Sequence, residues 1–428
     1  MVKKNYYIQI FWFCVFFYFF CLMIGPRVPE DQQKEFCVRN FQINNFFGHS
    51  MNCDSADYML NTSNPRRLLE KDSIRQARPG IIINAYIFSF FIDNFIKTIN
   101  YKDDYPKKTI IEGEKIEYEV FEYFNPKIVY ISYTLINILI IFFSIYLFFK
   151  IFDLSVFNPL HYKDWLIWFS LIIVVNNTIN QFFWSPSTKL LNIFCCVFTI
   201  YFSAQIINKK LNITQIFLIN FVCGFLLLYY AVFFISFTIF NLLFMYFYSK
   251  KYFYIIFNIG LFIIPFGMWF MFIKKINGIF YFSNFTDYNF IFWIRDSYFQ
   301  SGFRETLNSI FSGYYGFILS VLSQSFMMIL FFIFICLFFF IKKKMLFKNS
   351  ILFSSLIFLI FYISFFVILG HTPKNITACF IIPCTIIFVS IIKENRQYLV
   401  MEDVLKKILI FVFPVYYFWS IFKFGPYS

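Results

Sequence analysis

The stretch ITQIFLINFVCGFLLLYYAVFFISFTIFNLLFMYFY, residues 213–248, contains no charged side chain, and it decides the fold class. As one α-helix it would measure roughly 54 Å, well beyond a hydrocarbon core of about 30 Å. The stretch is therefore predicted to form either two tightly joined membrane spans or one long, tilted or broken helix.

The composition of the whole chain points to the same class of protein. Of its 428 residues, 60% are hydrophobic and 14% are charged, and the mean hydropathy is +0.67. Repeated apolar runs of about 17–25 residues predict an all-α fold, a polytopic transmembrane bundle of about eleven spans (range about 10–13). The chain is predicted to be a single integral-membrane domain, 1–428, because no segment reads as a soluble domain.

The net charge of +14 does not indicate nucleic-acid binding. The basic residues stand at the ends of apolar runs, as Lys209 and Lys210 do, and this pattern is typical of cytoplasmic flanks and of attraction to anionic lipid. We therefore predict membrane lipids and no nucleic acid among the partners. The expected location is a bacterial inner membrane with a cytoplasmic N-terminus, because no eukaryotic retention signal is visible.

The apolar runs can be mapped onto the membrane in two ways. They lie near 8–24, 128–152, 165–183, 190–207, 213–248, 252–273, 316–341, 350–369, 376–392 and 407–421, and a shorter run at 81–96 contains Asp93. If 81–96 does not span, 213–248 must be two spans. If 81–96 does span, 213–248 must be one.

Both maps place the same loops on the outer face of the membrane. These are the first outer loop, 25–80, the outer loop 274–315 and the short loop 370–375. A polar insert, 98–127, follows the 81–96 run, and the segment 393–406 is predicted to be a cytoplasmic linker. Cys37 and Cys53 share the first loop, and they could form a disulfide if that loop faces an oxidising compartment.

Asp54 and Asp57 form the first constellation that could carry chemistry. Residues three apart share a face of a helix, so two carboxylates there repel and one pKa should rise, which suits a general base. The competing interpretation is structural. Asp54 could cap a helix that begins at Ser55, with Asp57 near the positive end of the helix dipole.

Arg75 and Arg78 stand at the same spacing, just before the apolar run at 81–96. Two guanidinium groups on one face near the bilayer can grip a lipid phosphate, because their fork geometry matches phosphate oxygens. The alternative role is simple anchoring to lipid headgroups.

The late outer loop GHTPKNITACFIIP, residues 370–383, holds one of only three histidines, His371, with Lys374 one turn away. A histidine and a lysine there would suit a phosphate or pyrophosphate leaving group, although Gly370 and Pro373 are also ordinary turn residues. The spacing of His49, Cys53 and Asp54 matches no standard metal site, so no metal and no cofactor is predicted.

This layout resembles the GT-C superfamily of integral-membrane glycosyltransferases. In that family a long first outer loop carries an acidic catalytic residue and short interfacial helices, and here NCDSADYM, residues 52–59, stands in its place. A late outer loop of the family often reads His-x-x-Arg, and here HTPK, residues 371–374, carries lysine instead of arginine.

The resemblance implies a donor and an acceptor for this chain. The donor is a sugar on a polyprenyl phosphate or pyrophosphate, with its phosphate held by Arg75, Arg78, His371 or Lys374. Asp54 or Asp57 would take the proton from an acceptor hydroxyl on a glycan, a lipid or a protein, and one displacement would invert the sugar.

Two other classes of protein fit the same pattern. An O-antigen polymerase or ligase also handles polyprenyl-linked glycans, but it would place its main outer loop late in the chain. A non-enzymatic polysaccharide or lipid transporter would line the interior of the bundle with polar residues, for which Asn176, Asn177, Asn180 and Gln181 are candidates. Their alternative role is hydrogen bonding between helices.

Overall fold

The structure is a computed structural model. It describes residues 5–24, 38–42, 48–70, 73–98, 123–152, 173–248, 252–278, 292–323, 349–370 and 379–394, with the single residues 171, 415, 418 and 419.

The described residues are mostly α-helical. The helices are α1 Asn5–Ile24, α2 Cys53–Ser63, α3 Pro79–Thr98, α4 Pro126–Ile151, α5 Asn177–Phe182, α6 Leu191–Ile207, α7 Ile213–Leu227, α8 Phe233–Phe247, α9 Tyr252–Asn277, α10 Phe292–Ser323, α11 Ser350–Ile368 and α12 Ile381–Glu394. Two short 3-10 helices, Pro65–Leu69 and Ile74–Ala77, connect α2 to α3.

The predicted first outer loop, 25–80, also contains a β-hairpin that sequence analysis did not predict. Strands β1 Val38–Gln42 and β2 Gly48–Asn52 pair antiparallel, with Val38 opposite Asn52, and α2 follows β2 directly. Of the two cysteines predicted to be able to bond, Cys37 lies outside the described residues.

The long helices pack side by side, in parallel for some pairs, such as α6 with α8, and antiparallel for others. One end of this bundle, here called the upper end, is formed by residues 184–192, 228–232, 368–370 and 379–380. There Asn192 donates to the Tyr230 hydroxyl at 3.4 Å, and its side-chain oxygen accepts from Tyr362 at 3.3 Å. At the opposite end Asn208 donates to the Ser350 hydroxyl at 2.9 Å, so α6 runs down where α11 runs up.

Only some of the described helices are long enough to cross a membrane. Among the described residues, α3, α4, α9 and α11 are long and apolar enough to cross a membrane, by length and composition. Shorter apolar helices of 10–17 residues, such as α6, α7 and α8, complete the bundle. The fold class of an apolar helical bundle is thus confirmed, whereas a total of about eleven spans stays a prediction.

The 213–248 stretch forms two helices rather than one. Asn212 caps α7 reciprocally with Gln215, and a tight turn at 228–232 leads into α8. Tyr248, just after α8, returns to the lower end, where its hydroxyl donates to the Leu211 carbonyl at 2.7 Å. The structure therefore matches the alternative with two helices, whereas the crossing of a membrane by both of them stays a prediction.

The 81–96 run lies within α3, which is long and apolar enough to cross a membrane. Gly80 starts α3 at the upper end, where its N–H donates to the Leu228 carbonyl at 3.1 Å. Helix α4 also starts near that end, since the hydroxyls of Tyr133 and Thr62 are 2.8 Å apart, and it then runs away to Phe149 beside Phe11.

Other predicted segments differ from the structure. The 274–315 loop is largely helical, because α9 continues to Asn277 and α10 begins at Phe292, with a kink at Gly302 whose φ is 83°. The described part of the 165–183 run is broken before the six-residue helix α5, which Asn176 caps. Helix α12 continues to Glu394 into the predicted linker 393–406, and the remainder of that linker lies outside the described residues.

Candidate functional site

Helix α2 carries the two predicted aspartates, and its opposite face is fastened to the upper end of the bundle. Tyr58 and Met59 are buried, and the Ser55 hydroxyl lies 3.0 Å from that of Ser185. Because residues three and four apart share a helix face, this buried side leaves Asp54 and Asp57 on the accessible one. Their side chains are 64% and 45% exposed.

Arg75 lies between the two carboxylates. Its Nη2 donates to Asp54 Oδ1 at 3.0 Å, while its Nε donates to Asp57 Oδ2. The guanidinium carbon sits 4.1 Å from the centre of the Tyr58 ring, and the arginine side chain is only 9% exposed. One buried cation therefore holds both aspartates in place.

The prediction of a raised pKa from carboxylate repulsion is wrong for Asp54. Partial burial of Asp54 favours its neutral form, but the Arg75 charge and hydrogen bond outweigh that effect, with help from Lys189 and Arg78, and lower its pKa. Asp54 also lies in the first turn of α2 rather than ahead of it, because the helix begins at Cys53. The carboxylate is therefore ionised at neutral pH and a weaker base than predicted.

Arg78 lies near Arg75 but has different partners, so the two do not form the single phosphate grip that their spacing suggested. Arg78 Nη1 donates to the Tyr58 hydroxyl at 3.0 Å and to Thr188 Oγ1 at 3.1 Å. Its guanidinium carbon lies 5.0 Å from the centre of the Tyr230 ring. Both arginines follow or belong to the 3-10 helix Ile74–Ala77, where the i,i+3 geometry of an α-helix does not apply.

The charge of Arg78 is not balanced as that of Arg75 is. Within the described part of the chain, no carboxylate forms an ion pair with Arg78. Burial favours its neutral form, yet interactions with Tyr58 and Tyr230 raise its pKa, so it stays charged. With Lys189 close enough to act on Asp54, the cluster holds three cations against two carboxylates. Such an excess of positive charge favours an anionic ligand.

Sequence reasoning missed four side chains of this cluster: Tyr58, Thr188, Lys189 and Tyr230. The polar sequence SPSTK, residues 185–189, separates two apolar runs and was the available signal for Thr188 and Lys189. Nothing in the local pattern marks Tyr230, since it lies in the middle of the long apolar stretch.

The other two predicted site residues, His371 and Lys374, lie outside the described residues. The two ends of their loop lie at the upper end of the bundle. On one side, the Trp293 indole donates to the Ile368 carbonyl at 2.8 Å. On the other, Thr178 Oγ1 lies 3.2 Å from Cys379 Sγ.

No group of three or more metal-ligating side chains occurs among the residues that the structure describes. The charged cluster is built from carboxylates, guanidinium groups and hydroxyls, and its chemistry is therefore that of proton acceptance and anion binding.

Fold and site together define a class: a helical protein with apolar helices long enough to span a membrane and a charged cluster at one end of its bundle. Comparisons with known protein families, with curated proteins and with solved structures found no match. The resemblance to GT-C glycosyltransferases therefore stays a prediction.

Proposed function

We propose that this protein is a membrane glycosyltransferase that uses a polyprenyl-phosphate or polyprenyl-pyrophosphate sugar as donor. The acceptor is a lipid-linked or envelope glycan or a protein at the outer face of the membrane. The observation that carries the proposal is the upper-end cluster, where two accessible carboxylates lie near Arg78, which has no acidic partner among the described residues.

The chemistry follows from the roles that these groups can take. An acceptor hydroxyl attacks the anomeric carbon, and the bond from that carbon to the phosphate oxygen breaks with inversion. The phosphate leaves with the electron pair, and Asp54 or Asp57 accepts the proton of the hydroxyl. Arg78 faces the negative charge that develops on the leaving phosphate.

Arg75 takes a supporting role in this scheme. It uses both its Nε and its Nη2 on the carboxylates, so it orients them rather than binding the donor. His371 and Lys374 are proposed as further contacts of the donor phosphate, because both ends of their loop lie at the upper end.

The membrane arrangement belongs to the same proposal. We place the upper end at the outer face, the N-terminus in the cytoplasm and about eleven spans in a bacterial inner membrane. Helix α3 would lie along the surface, with exposed Ile83, Ile87, Phe90 and Phe91 toward lipid.

The activity can be tested with protein reconstituted in vesicles that contain hexose or pentose polyprenyl-phosphate donors, with release of polyprenyl phosphate as the readout. Asp54→Asn and Asp57→Asn are the informative variants. Loss of whichever aspartate is the general base should lower the rate by about 10²–10⁴-fold. Asp93→Asn is the matched control, because Asp93 pairs with Lys97 on α3 and should leave the rate unchanged. Full turnover in both site variants would disprove the general-base role.

Accessibility labels separate the alternatives. Labels at residues 60, 112, 290 and 372 should all react from the same side of the membrane. Labels at 60 and 372 on opposite sides would rule out one shared site and would favour the transporter. An O-antigen polymerase or ligase would instead transfer whole glycans rather than single sugars in the vesicle assay.

A further inference from the structure

The described contacts of Arg78 use only part of its guanidinium group. Its Nη1 is tied to two neutral hydroxyls, those of Tyr58 and Thr188, and the flat of its guanidinium group lies against the Tyr230 ring. Among the described residues, no acceptor bonds its Nε or its Nη2. That pair of N–H groups forms the edge that matches two oxygens of a phosphate.

The two hydroxyls come from different parts of the chain. Tyr58 lies on α2, beside the aspartates, whereas Thr188 lies in the turn that precedes α6. Their oxygens are 3.4 Å apart, so Arg78, Tyr58 and Thr188 close a triangle of hydrogen bonds. A long arginine side chain has many conformers, and two fixed acceptors on one nitrogen select a single orientation.

Tyr58 also contacts Arg75, the arginine that bonds the two aspartates. Arg75 stacks over its ring while Arg78 donates to its hydroxyl, so one buried phenol contacts both guanidinium groups. Any shift of Tyr58 would therefore move Arg75, which bonds the two carboxylates, and Arg78 together.

We propose that Tyr58 and Thr188 are positioning residues, which hold Arg78 with its Nε–Nη2 edge open to the phosphate of a lipid-linked ligand. This inference rests on the donor class of the proposed function but not on the general base. It assigns the turn at residues 185–189 to the ligand site, and it excludes Arg75 from direct contact with the phosphate.

Ionisation of Tyr58 should make phosphate binding at Arg78 depend on pH. Burial favours the neutral phenol, but the charges of Arg78 and Arg75 outweigh it and lower the pKa of Tyr58. Loss of the phenol proton would create an anion beside Arg78, so affinity for an external phosphate should fall as pH rises through that pKa. The other titratable groups of this cluster are Tyr133, Tyr230, Lys189 and the two aspartates, and Tyr58→Phe leaves each of them unsubstituted.

The test is binding of farnesyl phosphate to the full chain in phosphatidylcholine vesicles, with farnesol as the uncharged probe. Tyr58→Phe and Thr188→Val should each weaken binding of farnesyl phosphate on the order of tenfold and leave farnesol unchanged. Thr188→Ser should restore the affinity. The loss of affinity at alkaline pH should be smaller in Tyr58→Phe than in the wild type.

Tyr133→Phe is a stringent control, because it removes a buried phenol hydroxyl that bonds Thr62 and the Tyr58 backbone carbonyl but makes no hydrogen bond to Arg78. It should bind farnesyl phosphate as the wild type does. Arg78→Lys keeps the charge without the planar fork and should bind more weakly than the wild type.

The outcomes separate the two proposals. If the wild type does not prefer farnesyl phosphate to farnesol, the donor class of the proposed function is wrong. If it does, and Arg78→Lys weakens binding while Tyr58→Phe and Thr188→Val do not, the positioning role is wrong and the donor class stands. Equal losses for Tyr133→Phe and Tyr58→Phe would also overturn the positioning role.

Discussion

Two polar clusters stand out in this apolar chain, one at the upper end of the bundle and one in its interior. The upper-end cluster is built around Asp54, Asp57, Arg75 and Arg78, and both carboxylates remain accessible. The interior cluster consists of Asn220, Asn241 and Asn258, one on each of the helices α7, α8 and α9, and all three are buried.

The interior cluster is a chain of neutral amides. Asn241 donates to Asn220 Oδ1 at 3.2 Å, and Asn220 donates to Asn258 Oδ1 at 3.0 Å. Hydrogen bonds of this kind fasten helices to each other in an apolar setting. The upper-end cluster instead keeps charge at accessible atoms. We infer that buried amides serve packing here, and that the charged, accessible groups serve chemistry.

The largest effect is expected where α7 and α9 meet at Gly224. A Cβ on Gly224 of α7 would lie 2.2 Å from the carbonyl oxygen of Phe262 on α9, which is backbone and cannot turn away. Gly224→Ala should therefore lower the free energy of unfolding by about 3 kcal/mol or more. Thermal unfolding in detergent measures this.

Gly260→Ala is the control for that variant, because a Cβ there meets nothing within 4 Å. It should leave stability unchanged or raise it by up to about 1 kcal/mol, since alanine favours helix. Equal unfolding temperatures for the two variants would show that α7 and α9 do not pack as closely as described.

A smaller effect is expected at the upper end from Arg75→Met. The variant removes the cation between Asp54 and Asp57, and at neutral pH it should cost about 1–2 kcal/mol of stability, an estimate kept low because both carboxylates are partly exposed. Arg66→Met, which changes an exposed arginine nearby, should cost less than about 0.5 kcal/mol.

The pH dependence of that difference follows from the lowered pKa of Asp54. The stabilisation by Arg75 is fully present above the usual aspartate pKa of 3.8 and is lost as pH falls through the lower pKa of the folded protein. Unfolding curves of wild type and Arg75→Met should therefore converge in acid. A constant gap down to the most acidic buffer would mean that Arg75 acts through packing on Tyr58 instead.

The smallest effect is expected from the amide chain. A double-mutant cycle with Asn220→Leu and Asn258→Leu should give a coupling of about 0.6 kcal/mol, as is usual for hydrogen bonds between membrane helices. The rate of the proposed glycosyl transfer should not change in properly folded variants. A large loss of that activity without loss of stability would place the reaction site in the interior of the bundle instead.

The positions of the main helices were predictable from the sequence. The run at 190–207 is α6, the run at 350–369 contains α11, and the break within 213–248 was one of two stated alternatives. Hydropathy works here because a long run of apolar residues must leave water, whether it enters lipid or protein, and such a run is visible in the local sequence. The β-hairpin before α2 was not predicted, because five-residue strands leave little periodic signal.

Only part of the membership of the candidate site was predictable. Asp54, Asp57, Arg75 and Arg78 were all identified by type and spacing, and the structure brings them together. That Arg75 bonds both aspartates, while Arg78 turns to hydroxyls, depends on where the 3-10 helix places each side chain. Spacing along the chain carries no information about that.

The sequence by itself determined that this is an apolar helical protein with a charged segment early in the chain, because composition and hydropathy are sums over local residues. Only the tertiary structure decided which cation pairs with the aspartates and which one bonds neutral hydroxyls instead. It also brought Thr188 and Tyr230 to Arg78 across 110 and 152 positions of the chain. Such contacts arise from the packing of whole helices, and no local pattern encodes them.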